Sequence, residues 1–494
     1  MRKKKNPSGS VSIQIVQKIG RINKVLKSVG SSNDLVEIER LYIQALQDLP
    51  NFYGPSLFDI PVQPSIHQIC NDNIRVVGPD LIFGEIYKRI GFEIFKEPLL
   101  KHLVISRITH PGSKLRLANY LSDTRQKSIS VYSIYRFLDK LNNKLKVQIE
   151  DISFAYTKSI LGGQISVVFY DITTIYFEAS EPDDFRIAGF SKEGKHQNPQ
   201  ILLGLLVGKD GYPIGYEIFE GNTFEGHTLI PVIERYISRF NLQKPIIIAD
   251  SGLLSKSNIE ILIKKGFYFI LGARIKNEKQ VNIKKILDLK LADGELSKIT
   301  TEEGLNLHIG YSESRARKDK FNRDRGLKKL QKSLVSGRLT KSNINNRGYN
   351  KFLKLDGKVT LSLDIEKIDQ DQKWDGLKGY ITNTNLTSKE VVENYNNLWK
   401  IEKAFRISKT DLKIRPIYHR LKQRIEAHIC ISFMAYIIYK DFERIIYENG
   451  CRFSINEAIE QINKMYEINI ENQNIRLKTN QIQTELVNIL NREY

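Results

Sequence analysis

Apolar residues recur every three or four positions through much of the first 160 residues. Examples are LLKHLVISRI (99–108) and SVYSIYRFLDKLNNKLKVQIEDI (130–152), and this spacing predicts amphipathic helices separated by the breaker THPGSK (109–114). From residue 165 the pattern changes to short apolar runs. ISVVFYD (165–171), QILLGLLVG (200–208), IGYEIFEG (214–221), KPIIIADSG (244–252) and FYFILGAR (267–274) read as strands, with TTIYFE (173–178) a further strand or a continuation of the first. TLIPVIERYISRF (228–240) reads as a helix with Pro231 in its first turn, and SKSNIEILIKKG (255–266) as one closed by Gly266. Strands alternating with helices in this order imply an α/β fold, a mixed sheet with helices on its faces.

The rhythm breaks between 276 and 375. RARKDKFNRDRGLKKLQKSL (315–334) predicts a strongly basic helix, and VTLSLDIEKIDQDQKWDGLKGYIT (359–382) returns to strands. A long helical region opens at SKEVVENYNNLWKIEKAFRISKTDL (388–412), and ICISFMAYIIY (429–439) reads as a buried helix too short to span a bilayer. A capping box, Ser454 with Glu457, opens a helix in the last forty or so residues. The expected organisation is a helical N-terminal domain (1–160) that binds DNA and an α/β domain split between 161–275 and 376–450. A basic, strand-containing insertion (276–375) and a C-terminal helical segment (451–494) complete it.

Charge changes the picture. The 494 residues carry a formal net charge of +20, so a polyanion is the expected partner, and nucleic acid is the common case. A genome rich in Lys, Asn and Ile codons would raise the lysine count too, but the excess is not spread evenly. Residues 311–355 hold fourteen Lys and Arg against three Asp and Glu, more than half of the whole excess. A charge run is usually a solvated face; this concentration favours phosphate contact by Arg315, Arg317, Lys318, Lys328 and Lys329. Cys70, Cys430 and Cys451 are odd in number and far apart, which argues against a disulfide framework or a zinc site and fits a reducing cytoplasm. MRKKKNPSGS is basic, but no apolar run follows it, so it does not read as a secretory signal. His196, His227, His419 and His428 show no tight ligand spacing and are expected at the surface or against DNA.

The candidate chemistry lies in carboxylates. Asp171 sits in an otherwise apolar run, where a charge is costly unless paired or bound to metal; a strand ending at Tyr170 with Asp171 in a solvated turn is the alternative. Asp171 is read as ending the first strand, and Asp250 as ending the strand PIIIAD. In open α/β sheets, ligands gather at the carboxyl ends of strands. If the two strands are neighbours, the two acids repel unless a cation lies between them, and hard oxygen ligands suit Mg²⁺ or Mn²⁺. Glu402 is the best-placed third acid, on a run where Tyr395, Leu398, Glu402, Arg406 and Lys409 share one helical face. A surface helix with Glu–Lys pairs gives the same spacing.

Tyr395, Glu402 and Lys409 stand as Y-x6-E-x6-K, which resembles the Y-x2-R-x3-E-x6-K signature of a large group of bacterial insertion-sequence DDE transposases. FYDITTIYFE (169–178), the segment 189–233, IIIADSGLLSKSNI (246–259), WDGLKGYITN (374–383) and the segment 401–429 resemble further stretches of that family in the same order, over roughly 165–440. One departure is Leu398, which stands where the family has arginine; Lys400 or Arg406 could supply that phosphate contact.

The resemblance implies a ribonuclease H-like fold and two divalent ions held by Asp171, Asp250 and Glu402. It also implies cleavage at insertion-sequence terminal inverted repeats, followed by joining of the freed 3′ hydroxyls to target DNA. Tyr395, Arg406 and Lys409 would contact phosphates, and Trp374 could stack on an unpaired base or simply pack in a core. A homodimer in the DNA complex, no membrane association and a cytoplasmic, nucleoid-associated location are expected. A ribonuclease H-like nuclease without strand transfer, or an inactive DNA-binding protein, are the alternatives.

Overall fold

The computed structural model describes residues 1–494 apart from 54–69, 126, 142, 179–180, 192–193, 346–347, 357–359, 471–472 and 493–494. The chain divides into two compact units, one of residues 1–78, 121–128 and 461–484 and the other of 79–120, 129–460 and 485–494.

The first unit opens with strands where helices are expected. β1 (Arg2–Lys5), β2 (Val11–Ile19) and β3 (Ile22–Ser32) form an antiparallel sheet, and the first helices are α1 (Leu35–Asp48) and the short α2 (Pro50–Tyr53). The physical reason is local. Val11, Ile13 and Ile15 are β-branched and alternate with polar residues, so one face of β2 packs Ile13 and Ile15 on Ile38, Leu41 and Ala45 of α1. The turn between β2 and β3 has Gly20 at φ 62° and pairs Ile19 with Ile22. A two-residue Gly-containing turn is a hairpin signal. β4 (Ile74–Val76) follows.

Helices follow along the chain, as the three-to-four-residue spacing predicts: α3 (Gly78–Ile90), α4 (Pro98–Thr109), α5 (Lys114–Arg125), α6 (Val131–Lys140) and α7 (Asn143–Ile160). The sheet follows. β5 (Val167–Tyr176), β6 (Ile187–Ala188), β7 (Pro199–Val207) and β8 (Pro213–Glu220) precede α8 (Leu229–Phe240). Then come β9 (Ile246–Ala249), α9 (Lys256–Lys264) and β10 (Tyr268–Ala273). TTIYFE continues the first strand, so Asp171 lies in the middle of β5 and does not end it.

The segment between β10 and the last sheet strand contains α10 (Gln280–Leu287), β11 (Leu296–Thr300), β12 (Asn306–Tyr311), α11 (Glu313–Val335), β13 (Leu353–Asp356), β14 (Thr360–Leu363) and α12 (Ile365–Gln372). β15 (Leu377–Thr382) then returns to the sheet. Among the described residues nine strands form one mixed sheet, in the order β11–β12–β15–β10–β9–β5–β7–β6 with β8 also on β7. β11 and β12 therefore extend the main sheet, whereas β13 and β14 pair with each other beside a small core of Leu330, Phe352, Leu353 and Ile368. The stretch 359–382, expected as strands, is interrupted by α12, which Asp364 caps by accepting from the Lys367 amide.

β5, β7 and β8 are antiparallel neighbours, and β9 and β10 continue parallel to β5. Parallel strands are buried on both faces, which is why IIIA and YFIL carry no polar alternation. β7 is buried along its whole length, and Gly204 lets it pass Tyr170, whose hydroxyl a Cβ there would meet at 2.4 Å. α13 (Ser388–Asn396), α14 (Trp399–Arg406) and a π-helical turn (Ile407–Asp411) lead to α15 (Lys422–Glu448), which buries ICISFMAYIIY. No helix among the described residues is long and apolar enough to cross a membrane.

α16 (Ile455–Ile462) is opened by Ser454, whose hydroxyl accepts from the Glu457 amide at 3.2 Å. The C-terminal segment is not all helical. β16 (Tyr466–Ile470) and β17 (Gln473–Arg476) precede α17 (Gln481–Arg492), and β16 pairs with β4 in the first unit, where Arg75 Nε donates to Glu467 at 3.0 Å. Long-range pairing of this type leaves no short-range signal.

Candidate active site

The parallel register of β5 and β9 places the first two acids. Val167 to Tyr170 pair with Ile246 to Ala249, so Asp171 and Asp250 are the next residue on each of two adjacent strands. Adjacent strands lie about 4.8 Å apart. β9 ends there because Asp250 starts a short 3-10 turn, Ser251–Leu253, while β5 runs on against β7. That turn is pinned: Asn258 Nδ2 donates to the Leu253 carbonyl at 2.9 Å, and Arg274 Nε donates to the Ser251 carbonyl at 3.0 Å.

The third acid comes from a helix. Thr387 and Glu390 form a capping box at the start of α13, and the chain bends at Asn397–Leu398 before α14. Ile401, Ala404 and Phe405 bury one face of α14, and Glu402 stands exposed at the edge of that face. Asp171, Asp250 and Glu402 line one open cleft of about 410 Å³, with Lys378, Tyr395, Asn396, Leu398, Trp399 and Ile401.

One of the lining residues bears on Asp250 directly, and a second packs on the first. Tyr395, expected among the phosphate contacts, is buried, and its hydroxyl donates to Asp250 Oδ1 at 3.0 Å. Burial, then the Asp250 charge, raises its phenol pKa well above the ordinary value. Gly272 of β10 makes this possible, since a Cβ there would stand 2.4 Å from the Tyr395 hydroxyl. Tyr380 meets Tyr395 edge to face at 4.8 Å between centroids. The Lys378 ammonium lies 4.6 Å from the Tyr395 ring centroid and 5.2 Å from that of Tyr380. Burial lowers the Lys378 pKa, and Arg315 lowers it further; Asp250 and Glu402 oppose the shift.

The other expected DNA contacts are placed elsewhere. Arg317, Lys318, Lys328 and Lys329 are exposed along α11, as is Arg315. Arg406 is exposed on α14 and Lys409 falls in the π-helical turn, and neither lines the cleft. An extra residue in that turn breaks the spacing that puts Glu402 and Lys409 on one face. Trp374 packs partly buried against the main core and borders a separate cavity with Lys351, Phe352 and Asp371. Trp399 and Lys378 carry no sequence signal of their own. Trp399 is 53% exposed and stands between the carboxylate cleft and a second cleft of about 660 Å³ lined by Lys400, Lys403, Lys440 and Tyr447. His419 and His428, expected at the surface, are buried.

The donor set fits divalent ions in kind: carboxylate oxygens, open to solvent, from adjacent strands and a facing helix. Among the described residues no three His, Cys, Asp or Glu side chains stand at metal-holding separation. Asp250 and Glu402 are exposed side chains at the cleft, and Asp171 is half-buried.

Residues 162–438 match the family model of the transposase DDE domain. The chain belongs to that family. Solved transposase structures are similar to parts of this chain at low identity. A piggyBac transposase synaptic complex with hairpin DNA is 10% identical over 78% of each chain, with a TM-score of 0.40. A Mos1 transposase paired-end complex with left transposon end is 11% identical over 47% of this chain and 66% of that one, with a TM-score of 0.16. No curated protein matches. As a DDE-domain transposase, the chain has Asp171, Asp250 and Glu402 all within the matched residues.

Proposed function

We propose that this transposase cuts DNA at the terminal inverted repeats of an insertion sequence and joins the freed 3′ hydroxyl ends to target DNA. The observation that carries this reading is the convergence of Asp171, Asp250 and Glu402 on one cleft. The sheet order β8–β7–β5–β9–β10, antiparallel then parallel, supports a ribonuclease H-like catalytic core.

Asp171, Asp250 and Glu402 would hold two divalent ions, Mg²⁺ or Mn²⁺, whose charge activates an attacking oxygen and stabilises the leaving oxygen of an in-line displacement. The protein's own part is positional. β5 and β9 fix the two aspartates side by side, Tyr395 orients Asp250 through its hydroxyl, and α14 presents Glu402 across the cleft. Both reactions displace an oxygen at phosphorus, so one set of acids serves cleavage with water and joining with a 3′ hydroxyl. The exposed cations of α11 would hold the DNA backbone. Two ends handled in one reaction call for a homodimer on DNA.

The test is incubation of the purified protein with a duplex carrying the repeats that flank its gene, with Mg²⁺ or Mn²⁺. Cleavage plus joining is the expected result. Asp171→Asn and Glu402→Gln should each abolish both while leaving DNA binding in place. Cleavage at normal rate by either variant would refute the assignment; cleavage without joining would reduce the protein to a nuclease.

A further inference from the structure

The transposase signature that this chain resembles has an arginine where Leu398 stands, 8% exposed in the cleft wall. The cations that follow it on the chain do not replace it: Lys403 Nζ is 2.5 Å from Glu443 Oε1 and lines the second cleft. Lys400 Nζ is 2.6 Å from Asp210 Oδ1, which turns it toward the second cleft. Arg406 does not line the carboxylate cleft. Among the described residues that do line it, the one cation is Lys378. It reaches the cleft from β15, a strand that pairs with β10 and β12 on the side of the sheet away from β5. Its ammonium rests over the rings of Tyr395 and Tyr380, so it is held beside the tyrosine that bonds Asp250.

We propose that Lys378 donates a hydrogen bond to a non-bridging oxygen of the DNA phosphodiester that is cut, taking the place of the arginine absent at position 398. The inference rests on the transposase chemistry proposed above. Three carboxylates in one cleft repel a phosphodiester, and charge on its non-bridging oxygens grows as the attacking oxygen adds. A cation aimed at that point is worth more in the transition state than in the ground state. The ammonium keeps its proton throughout, and no bond to lysine forms. Lysine acts here as a point charge, where the family arginine would offer a planar fork.

The experiment compares Lys378→Ala, Lys378→Met and Lys378→Arg with the wild type on the flanking-repeat duplex, and on the same duplex with a methylphosphonate at the scissile position. The expected loss for alanine and methionine is about 100-fold in cleavage rate, with arginine retaining most of it. The wild-type advantage should vanish on the uncharged methylphosphonate, a result that a purely structural lysine would not give. Equal rates for alanine and wild type, or an equal deficit on both duplexes, would overturn the proposal. Salt-dependent binding without divalent ions gives a second readout: alanine should lower the log–log slope by about 0.9. A wild type that binds but never cuts would refute the proposed function, and an unchanged slope would then still refute the role of Lys378.

Discussion

The Tyr395 hydroxyl donates to Asp250 Oδ1 at 3.0 Å, across 145 residues of sequence. This hydrogen bond joins α13 to the end of β9 and fixes the rotamer of one acid in a cleft whose other acids are set by strand register and by a helix face. Tyrosine suits this place because its ring packs on Tyr380 while its one polar atom reaches the carboxylate.

Tyr395→Phe should therefore keep the fold and lose orientation of Asp250. Outer-shell partners of metal-binding carboxylates are worth about 10–100-fold in affinity or activity. A rise of that size in the Mg²⁺ concentration needed for half-maximal cleavage is expected, with DNA affinity unchanged. An unchanged Mg²⁺ requirement would show that the hydroxyl does not position the acid.

Gly272→Ala should mimic that loss by a different route, because its Cβ would meet the Tyr395 hydroxyl at 2.4 Å and push it away from Asp250. Neighbouring substitutions that act on one hydrogen bond do not add. In the double variant with Tyr395→Phe the clash loses its main atom, so cleavage should fall little below that of the phenylalanine variant alone. Additive losses in a double-mutant cycle would contradict this.

Much of the sheet was legible because buried strands are short apolar runs, and ISVVFYD and KPIIIADSG each announce an acid beside such a run. Their adjacency was a condition that only the register of β5 on β9 could meet. The reading of Asp171 as a strand end failed because β5 outruns β9: periodicity shows a strand, and pairing partners decide where neighbours stop. Lys378 was illegible for the same reason, since a lysine on a strand reads as solvated until the opposite wall is known. The N-terminal hairpin was legible in principle through the alternation of Val11, Ile13 and Ile15 and the Gly20–Arg21 turn, but β3 buries no residue fully, so its half of the hairpin carries no clear period of two.

The exposed cations of α11 give a third expectation. Replacing Arg317, Lys318, Lys328 and Lys329 together by alanine should weaken DNA binding uniformly across sequences and flatten its salt dependence, by about 0.9 in log–log slope for each phosphate left without its cation. Thermal stability should hardly change, because these side chains are exposed and α11 is held elsewhere, by buried Arg323 bidentate to Asp375 at 2.6 and 2.7 Å. An unchanged salt slope would make α11 a solvated face and no more.

Buried His419 costs the fold stability in acid. Burial, then the charges of Lys114, Arg424 and Arg107, holds its pKa down at about 4, against the weaker pull of Asp139, and the ring packs edge-on to Tyr135 and His428. A depressed histidine is neutral in the native state while the unfolded chain takes up a proton near pH 6.5. Its contribution to stability is therefore complete above about pH 6.5 and declines as the pH falls toward 4, by about 3 kcal/mol over that window. His428, lowered by burial and by the Arg107 charge, acts in the same direction. His419→Gln should flatten the pH dependence of Tm between pH 6.5 and 4.5 relative to the wild type. Parallel curves for the two proteins would mean that His419 takes up its proton in the folded state as readily as in the unfolded one.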